Sequence, residues 1–391
     1  MVTDFQRFKE LVAVFLKLGI IGFGGPAAHL ALMEEEIINR RQWLTRSQFL
    51  DLLGATNLIP GPNSTEMAIH IGYRYGGWLG LVVAGSCFIL PAVVITSIFA
   101  WLYVTWGSLP ELTPVLAGIK AGILAVIASA VWRLGKKVFK SRQLLGIALL
   151  VILLVLLGTS ETVALFVGGI IGMILLMSPF PRNPSSGTLP LLMLGVVTAE
   201  KAIAMPPTLV KLGLFFLKVG SILFGSGYVL FAFLEGDLVN RYGWLTQQQL
   251  LDAIAVGQLT PGPILSTATF IGYLILGTPG AIVATVGIFF PSFVFVALSH
   301  PLIAKLRQSK WASAFLDAVN ASSVALIVVV TGKLAQSVLW KDETIFSLNW
   351  AVWLISAIAG IAVFRYRVNS VWIVLGSAVL GYGLKGVIAL Q

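Results

Sequence analysis

Two stretches of this chain carry the residues best suited to chemistry, and the chemistry they suit is the holding of an anion. They are Gly24-Gly25-Pro26 and Pro60-Gly61-Pro62, the latter running on into Asn63-Ser64-Thr65-Glu66. A helix that starts just after such a turn presents unpaired N–H groups and roughly half a positive charge, so it binds a phosphate-like or sulfate-like ion without a formal cation. The hydroxyls of Ser64 and Thr65 and the amides of Asn57 and Asn63 stand close enough in sequence to finish the coordination. Lys17 adds charge to an otherwise apolar helix, where an ionisable residue is a candidate for function.

The whole set occurs twice. An offset of 201 carries Lys17, Gly24-Gly25-Pro26, Glu34, Arg40, Trp43-Leu44-Thr45, Asp51 and Pro60-Gly61-Pro62 onto Lys218, Gly225-Ser226-Gly227, Glu235, Arg241, Trp244-Leu245-Thr246, Asp252 and Pro261-Gly262-Pro263. After one deletion the offset is 200, and Ile71-Gly72-Tyr73, Gly80 and Pro91 recur as Ile271-Gly272-Tyr273, Gly280 and Pro291. In the second copy Gln258, Ser266 and Thr267 are the polar candidates. A chain that repeats charges, glycines and prolines over half its length is a duplicated unit.

The elements that must position these residues follow from the breakers. Residues 5–22 read as a helix carrying Lys17 that stops at Gly22-Phe23-Gly24-Gly25-Pro26, with Pro26 opening a second helix from Ala27 to about Asn39. That helix ends in Glu34-Glu35-Glu36 and Arg40-Arg41, too polar to leave through hydrocarbon, so residues 11–40 are expected to form a hairpin or re-entrant pair. Thr45 and Gln48 form a capping-box pattern for a helix to about Leu53. Asn63 or Ser64 is the expected N-cap of a short apolar helix reaching about Tyr73.

Composition supplies the solvent. Of 391 residues 58% are hydrophobic and 11% charged, against about 25% charged in a soluble chain, so this is a membrane protein. Apolar segments of spanning character run over Trp78–Val104, Thr113–Val131, Leu144–Leu157, Thr162–Met177, Ala281–Leu302, Trp311–Val330, Trp350–Val363 and Val371–Gly386. They are apolar on every side, which excludes the alternating pattern of a β-barrel. The net charge of +10 (26 basic minus 16 acidic residues) follows from basic loops on one side of the bilayer and does not point to nucleic acid. Cys87 alone allows no intramolecular disulfide. Asp4, Glu10 and Lys17 argue against a cleaved signal, so the first helix is expected to be retained.

Loop charge orients the halves. After the Pro91 helix, Thr105–Pro114 has no basic residue, whereas Arg133–Arg142 holds Arg133, Lys136, Lys137, Lys140 and Arg142. After the Pro291 helix the order reverses: Lys305, Arg307 and Lys310 come first, then Lys333 and Lys341 balanced by Asp342 and Glu343. The alternation has switched sides, which predicts an all-α polytopic membrane protein of two inverted-topology repeats with broken or re-entrant helices, the build of many secondary transporters. The repeats are expected over 1–178 and 207–391. Residues 179–206 form a linker, and whether its apolar part around Glu200-Lys201 crosses is left open.

Phe23-Gly24-Gly25-Pro26, an acidic helix, Asn39-Arg40-Arg41-Gln42-Trp43-Leu44-Thr45 and Asn57-Leu58-Ile59-Pro60-Gly61-Pro62, present twice with Ser226-Gly227 replacing Gly25-Pro26 and Thr260 replacing Ile59, resemble the chromate ion transporter family in its long, two-domain form. The resemblance implies chromate efflux across the plasma membrane, with sulfate as a similar tetrahedral dianion. A homodimer is the assembly allowed for. Both substitutions in the second copy leave open whether it binds substrate.

Blander roles stand beside these. Lys17 and Lys218 have stems long enough to snorkel to an interface, and Glu34 and Glu235 are expected to pair with Arg40 and Arg241. The alternative for these carboxylates is proton coupling. Glu66, lacking a carboxylate counterpart in the second copy, suggests a local role, and Arg74, between two tyrosines, suits an interfacial anchor. His29, His70 and His300 lack metal-ligand spacing. No cofactor is expected: there is no Walker-type phosphate loop and no converging nucleophile and base, so the chain reads as a transporter or a passive anion channel rather than an enzyme.

Overall fold

The computed structural model describes residues 4–107, 109–177, 206–299, 309–340 and 349–384. Most of the 179–206 linker, the Lys305 and Arg307 loop, the Lys341-Asp342-Glu343 loop and His300 lie outside these residues. Among the described residues the chain is helical and without strands, and four helical stretches, Asn63–Trp106, Thr113–Val138, Ile264–Ser299 and Lys310–Leu339, are long and apolar enough to cross a membrane. The protein is an all-α polytopic membrane protein.

Helix α1 (Asp4–Ile21) ends at the glycine break, and α2 (Pro26–Glu34) starts on Pro26. The expected single helix to Asn39 is instead α2 followed by a π-helical segment, Glu35–Arg40. Thr45 and Gln48 close both bonds of the capping box at the start of α3 (Arg46–Thr56), which runs three residues past the expected Leu53. The second half repeats these devices except the proline start, where Ser226 instead caps a short 3-10 turn, Gly227–Val229. Helix α8 (Leu209–Ile222) leads to the break, α9 (Leu230–Phe233) continues into a π segment Leu234–Arg241, and Thr246 with Gln249 boxes α10 (Gln247–Leu259).

Helix α4 (Asn63–Trp106) begins on Pro62, not on an Asn63 or Ser64 cap: proline fixes the entry, and Asn63 is already the first helical residue. Gly76 and Gly77 leave helical angles, Gly77 at φ 61° and ψ −148°, a conformation that only glycine adopts cheaply. There the chain doubles back, and a Cβ on Gly72 would run into the Gly80 carbonyl and Ala84. Helix α11 (Thr267–Ser299) repeats the hairpin with Gly277 at φ 61° and Gly272 against Gly280 and Ala284. Each hairpin has a short arm carrying the polar helix start and a long arm of spanning length.

These arms hold the breakers near the middle of the structure. Leu11 of α1 touches Gly76 and Gly80, while Gly19 lies against Phe88 and Pro91, so α1 runs beside the first long arm. That arm, Trp78 to Trp106, is about 43 Å at ~1.5 Å per residue, and the glycine break falls near its midpoint. Gly262 packs on Ala92 and Gly19, and Gly61 on Ser292, which are corresponding positions of the two arms. Gly85 of the first arm meets Phe293 of the second, and Leu81 shares a small apolar cluster with Val296. The register falls in one arm as it rises in the other, so they pass antiparallel.

The halves interlock. Helix α5 (Thr113–Val138) packs against α13 (Trp350–Phe364) and α14 (Ser370–Gly383), whereas α12 (Lys310–Leu339) packs against α6 (Arg142–Leu156) and α7 (Glu161–Met177). Gly118 and Gly122 of α5 face Gly381 and Ser377, and Ala318 and Ser322 of α12 face Gly172 and Gly168. Small residues four apart let helix backbones approach closely, which is how helices associate where lipid removes the hydrophobic drive.

Candidate anion site between the two halves

The Pro-Gly-Pro turns bind the halves to each other. Gly61 donates its N–H to the Leu223 carbonyl at 2.7 Å, and Gly262 donates to Gly22 at 2.8 Å. Gly22 and Leu223 are equivalent positions, as are Gly61 and Gly262, so one bond is made twice with the halves exchanged, as a two-fold axis requires. These two N–H groups are therefore spent on carbonyls left over at the ends of α1 and α8, and Gly61, Pro62, Pro261, Gly262 and Pro263 are buried.

Behind the turns the polar side chains divide. Thr267 Oγ1 donates to the Ile264 carbonyl at 2.8 Å. Ser64 is buried, and Thr65 Oγ1 and Ser266 Oγ, which are equivalent, are buried without a partner among the described residues, whereas Gln258, near the end of α10, bonds Tyr228. Unpaired buried donors at a helix start are the kind of group that a bound ion or water satisfies. Glu66 is fully buried and accepts from Ser292 Oγ of the other half at 2.9 Å, while its second carboxyl oxygen has no partner among the described residues. A Cβ on Gly61 would collide with that carboxyl. The first helix start thus carries a carboxyl group of its own, where the second carries Thr267.

The glycine breaks, by contrast, border cavities, and Gly25 has nothing within 4 Å of where a Cβ would stand. Gly24 and Pro26 of the first copy and Gly225, Ser226 and Gly227 of the second line a cavity of about 470 Å³ together with Asn63, Arg133, Lys136 and Lys137. A neighbouring cavity of about 690 Å³ shares Asn63, Lys137, Gly225 and Ser226 and adds Asn57, Lys140, Asn320, Ser323 and one carboxylate, Asp317. Asn63 donates its amide to Asn57 Oδ1 at 2.9 Å. Gly25 sits between the lining residues Gly24 and Pro26, whereas Pro60 lies beside Ile59 at the wall of the larger cavity. Two breaks, one from each half, and three cations thus face the smaller cavity, while in the larger one Lys137 and Lys140 outweigh Asp317, a balance that suits a small polyanion.

The lysines expected at the site are elsewhere. Lys17 Nζ binds Glu36 at 2.7 Å and Lys218 Nζ binds Asp237 at 2.6 Å, again equivalent pairs. The expected Glu34–Arg40 and Glu235–Arg241 pairs are not the ones formed. Glu34 takes Arg46 at 3.4 Å, Arg40 takes Glu35 at 3.1 Å, Glu235 takes Lys333 at 2.9 Å, and Arg241 lies 3.7 Å from Asp237. Six residues apart, each expected pair lies on different faces of the helix, and each arginine instead comes within 4 Å of the carboxylate four residues before it, Arg40 near Glu36 at 3.8 Å and Arg241 near Asp237. The Lys17 ammonium, and after it Arg41, holds the Glu36 carboxyl below its usual range. Arg74 is exposed and lines neither cavity.

Residues 9–173 and 210–382 match the chromate transporter family, one stretch in each half. The chain belongs to the chromate transporter family. It is 32% identical over 385 residues to a chromate transport protein of Cupriavidus metallidurans, covering 95% of this chain and 92% of the relative. It is 34% identical over 339 residues to a probable chromate transport protein of Synechococcus elongatus, covering 83% and 84%. A chromate transport protein of Pseudomonas aeruginosa is 30% identical over 392 residues, covering 96% and 92%. No solved structure matches the chain significantly.

Two groups in this family member escaped sequence reasoning. Arg133, Lys136 and Lys137 belong to the last turns of α5 rather than to a loop, and as basic residues at a membrane boundary they carry no local signal of a site. Lys120, inside the same apolar helix, pairs with Asp252 of the other half at 3.3 Å, and Tyr103 donates to that carboxylate at 2.8 Å. A lysine within a spanning helix is itself the signal that could have found it.

Proposed function

We propose that this chain moves chromate, and with it the similar dianion sulfate, out across the cytoplasmic membrane by alternating access between two inverted repeats. The observation that carries the reading is the shared basic cavity, walled by the glycine break of each half and lying where the reciprocal Gly61 and Gly262 bonds join the copies. The inversion is supported by the antiparallel long arms and by the switch in loop charge. An anion entering from the Lys136 and Lys140 side meets four cations set against one carboxylate, Asp317, then the break at Gly24-Gly25-Pro26 and the facing Gly225-Ser226-Gly227. Deeper lie the unpaired hydroxyls of Thr65 and Ser266. Lys17 and Lys218 shape this path through their carboxylates rather than by touching the ion.

Coupling to a proton gradient is assigned to Glu66, which Ser292 holds by one oxygen while the other is left without a partner among the described residues. The repeats are taken as 1–178 and 207–391, and the activity as transport without catalysis, the role in which the named relatives stand. Reconstituted uptake tests the function. Purified protein in liposomes is expected to accumulate chromate against its gradient when a proton gradient is imposed, with sulfate competing. Movement of neither anion under any gradient rejects the function, and movement only down the anion gradient makes the protein a channel.

A further inference from the structure

The two copies are alike in sequence but not in state. Glu34 and Glu235 are equivalent at the offset of 201, and Arg133 and Lys333 at the offset of 200 that also relates Ala121, Ala125, Ile127 and Leu134 of α5 to Ala321, Ala325, Ile327 and Leu334 of α12. In the second copy the carboxylate and cation are joined: Lys333 Nζ binds Glu235 Oε2 at 2.9 Å, Asn240 donates to Oε1 at 2.7 Å, and the Glu235 side chain is only 5% exposed. In the first copy the same two residues are apart. Glu34 holds Arg46, whose side chain is 77% exposed, and Arg133 lines the cavity with no carboxylate within 4 Å among the described residues.

The space around them differs in the same sense. Beside Arg133 lie cavities of about 470 and 690 Å³, whereas beside Lys333 there is one of about 160 Å³, into which Glu161 of the first half is packed against Gly236. One side of the molecule is roomy, and at its equivalent the space is small and bordered by the ion pair and Glu161, with the Lys333 side chain 37% exposed.

We propose that Arg133 and Lys333 are alternating gate cations, each facing the oxyanion when its own side is open and sealing that side by binding its hairpin carboxylate when it is closed. In the state seen, Arg133 is the anion-facing cation and Lys333–Glu235 the closed gate. In the opposite state Arg133 binds Glu34, and Lys333 faces the substrate. An oxyanion and Glu34 compete for one guanidinium, since both offer paired oxygens to its fork. Closure therefore follows the passage of the anion from Arg133 to the deeper groups. Glu34 gives up only an exposed pair with Arg46 to make the switch, and such pairs contribute little.

This inference rests on the alternating-access reading, and cysteine cross-linking tests it separately. In full-length protein with Cys87→Ala, the pair Glu235→Cys with Lys333→Cys is expected to react with a short bismaleimide in resting liposomes. The pair Glu34→Cys with Arg133→Cys should react only when chromate and a proton gradient are present, and cross-linking either pair first should block the other. Both pairs cross-linking in one molecule overturns the gates, as does a Glu34–Arg133 pair that never reacts while the Cys87→Ala parent accumulates chromate. A parent that moves no chromate rejects the functional reading itself, and joint cross-linking in detergent still judges the gates. Steady-state uptake gives a second readout: Glu34→Gln should lower the maximal rate roughly tenfold, about 1.4 kcal/mol, with KM unchanged. Arg46→Gln should not lower it. Equal loss in both variants reduces Glu34 to a surface pair.

Discussion

The N–H of Gly61 and the carbonyl of Leu223 are joined across the halves at 2.7 Å, and Gly262 repeats the bond to Gly22. The break at the end of each first helix leaves carbonyls that lipid cannot satisfy, and the break in the other half supplies the donor. Two defects, each costly alone, complete one another, and that exchange holds the cavity between the copies.

Gly61→Ala is expected to unfold this junction. Gly61 has φ 138°, and a Cβ there would strike the Glu66 carboxyl, so strain and a disturbed interhelical bond together should cost roughly 3 kcal/mol. Gly243→Ala, also at positive φ (64°) but with nothing within 4 Å, should cost only about 1–2 kcal/mol. Melting in detergent compares them, and equal losses would remove the special role of Gly61. Gly24→Leu, at the cavity wall and also at positive φ (104°), should still insert, lose about 1–2 kcal/mol in melting, and fail to move chromate in liposomes.

Lys137 lines both cavities and is exposed. Lys137→Gln is expected to keep the fold and raise the half-saturating chromate concentration about three- to tenfold. The penalty should shrink as salt rises, because exposed charges are screened within about 10 Å at 0.1 M. A salt-independent change would mean that Lys137 acts through packing.

Asp252→Asn should destabilise the protein by about 3–5 kcal/mol, because it leaves Lys120 charged and unpaired in the interior. Lys120→Met combined with Asp252→Leu should recover most of that loss. Thermal denaturation of the three variants decides it, and a double variant no better than Asp252→Asn would point to a role beyond pairing.

Glu36 gives a pH dependence of definite sign. Its folded carboxyl is held below the ordinary value of about 4.5 by Lys17 and Arg41. A depressed value contributes stability that is fully present above the ordinary value and is lost as pH falls through the folded one. Melting temperature should therefore fall below about pH 4.5, and fall less steeply in Glu36→Gln, which starts lower. Parallel curves would rule Glu36 out.

Glu66→Gln keeps an acceptor for Ser292 but cannot exchange a proton. It is expected to fold and to move chromate without responding to an imposed proton gradient. An unchanged response would take the coupling role away from Glu66.

The local devices were legible because each depends on near neighbours. Thr45 and Gln48 lie three residues apart, Pro26 needs only its own ring to open α2, and the 201-residue echo of Lys17, Gly24 and Pro60 in Lys218, Gly225 and Pro261 announced the duplication. Partners across the fold were not. Glu34 and Arg40 are six residues apart and so lie on different faces of a helix, which left Glu34 to Arg46 from the next element, and nothing near Lys333 in sequence names Glu235.

By itself the sequence determined the solvent, the helices, where they break and that the pattern occurs twice, because hydrophobicity and backbone stereochemistry are properties of a residue and its neighbours. Only the tertiary structure decided which breaker faces the cavity and which is spent on the opposite copy. It alone placed Arg133 in the open and Lys333 in a pair, since identical local devices take different states once long-range packing supplies or withholds a partner.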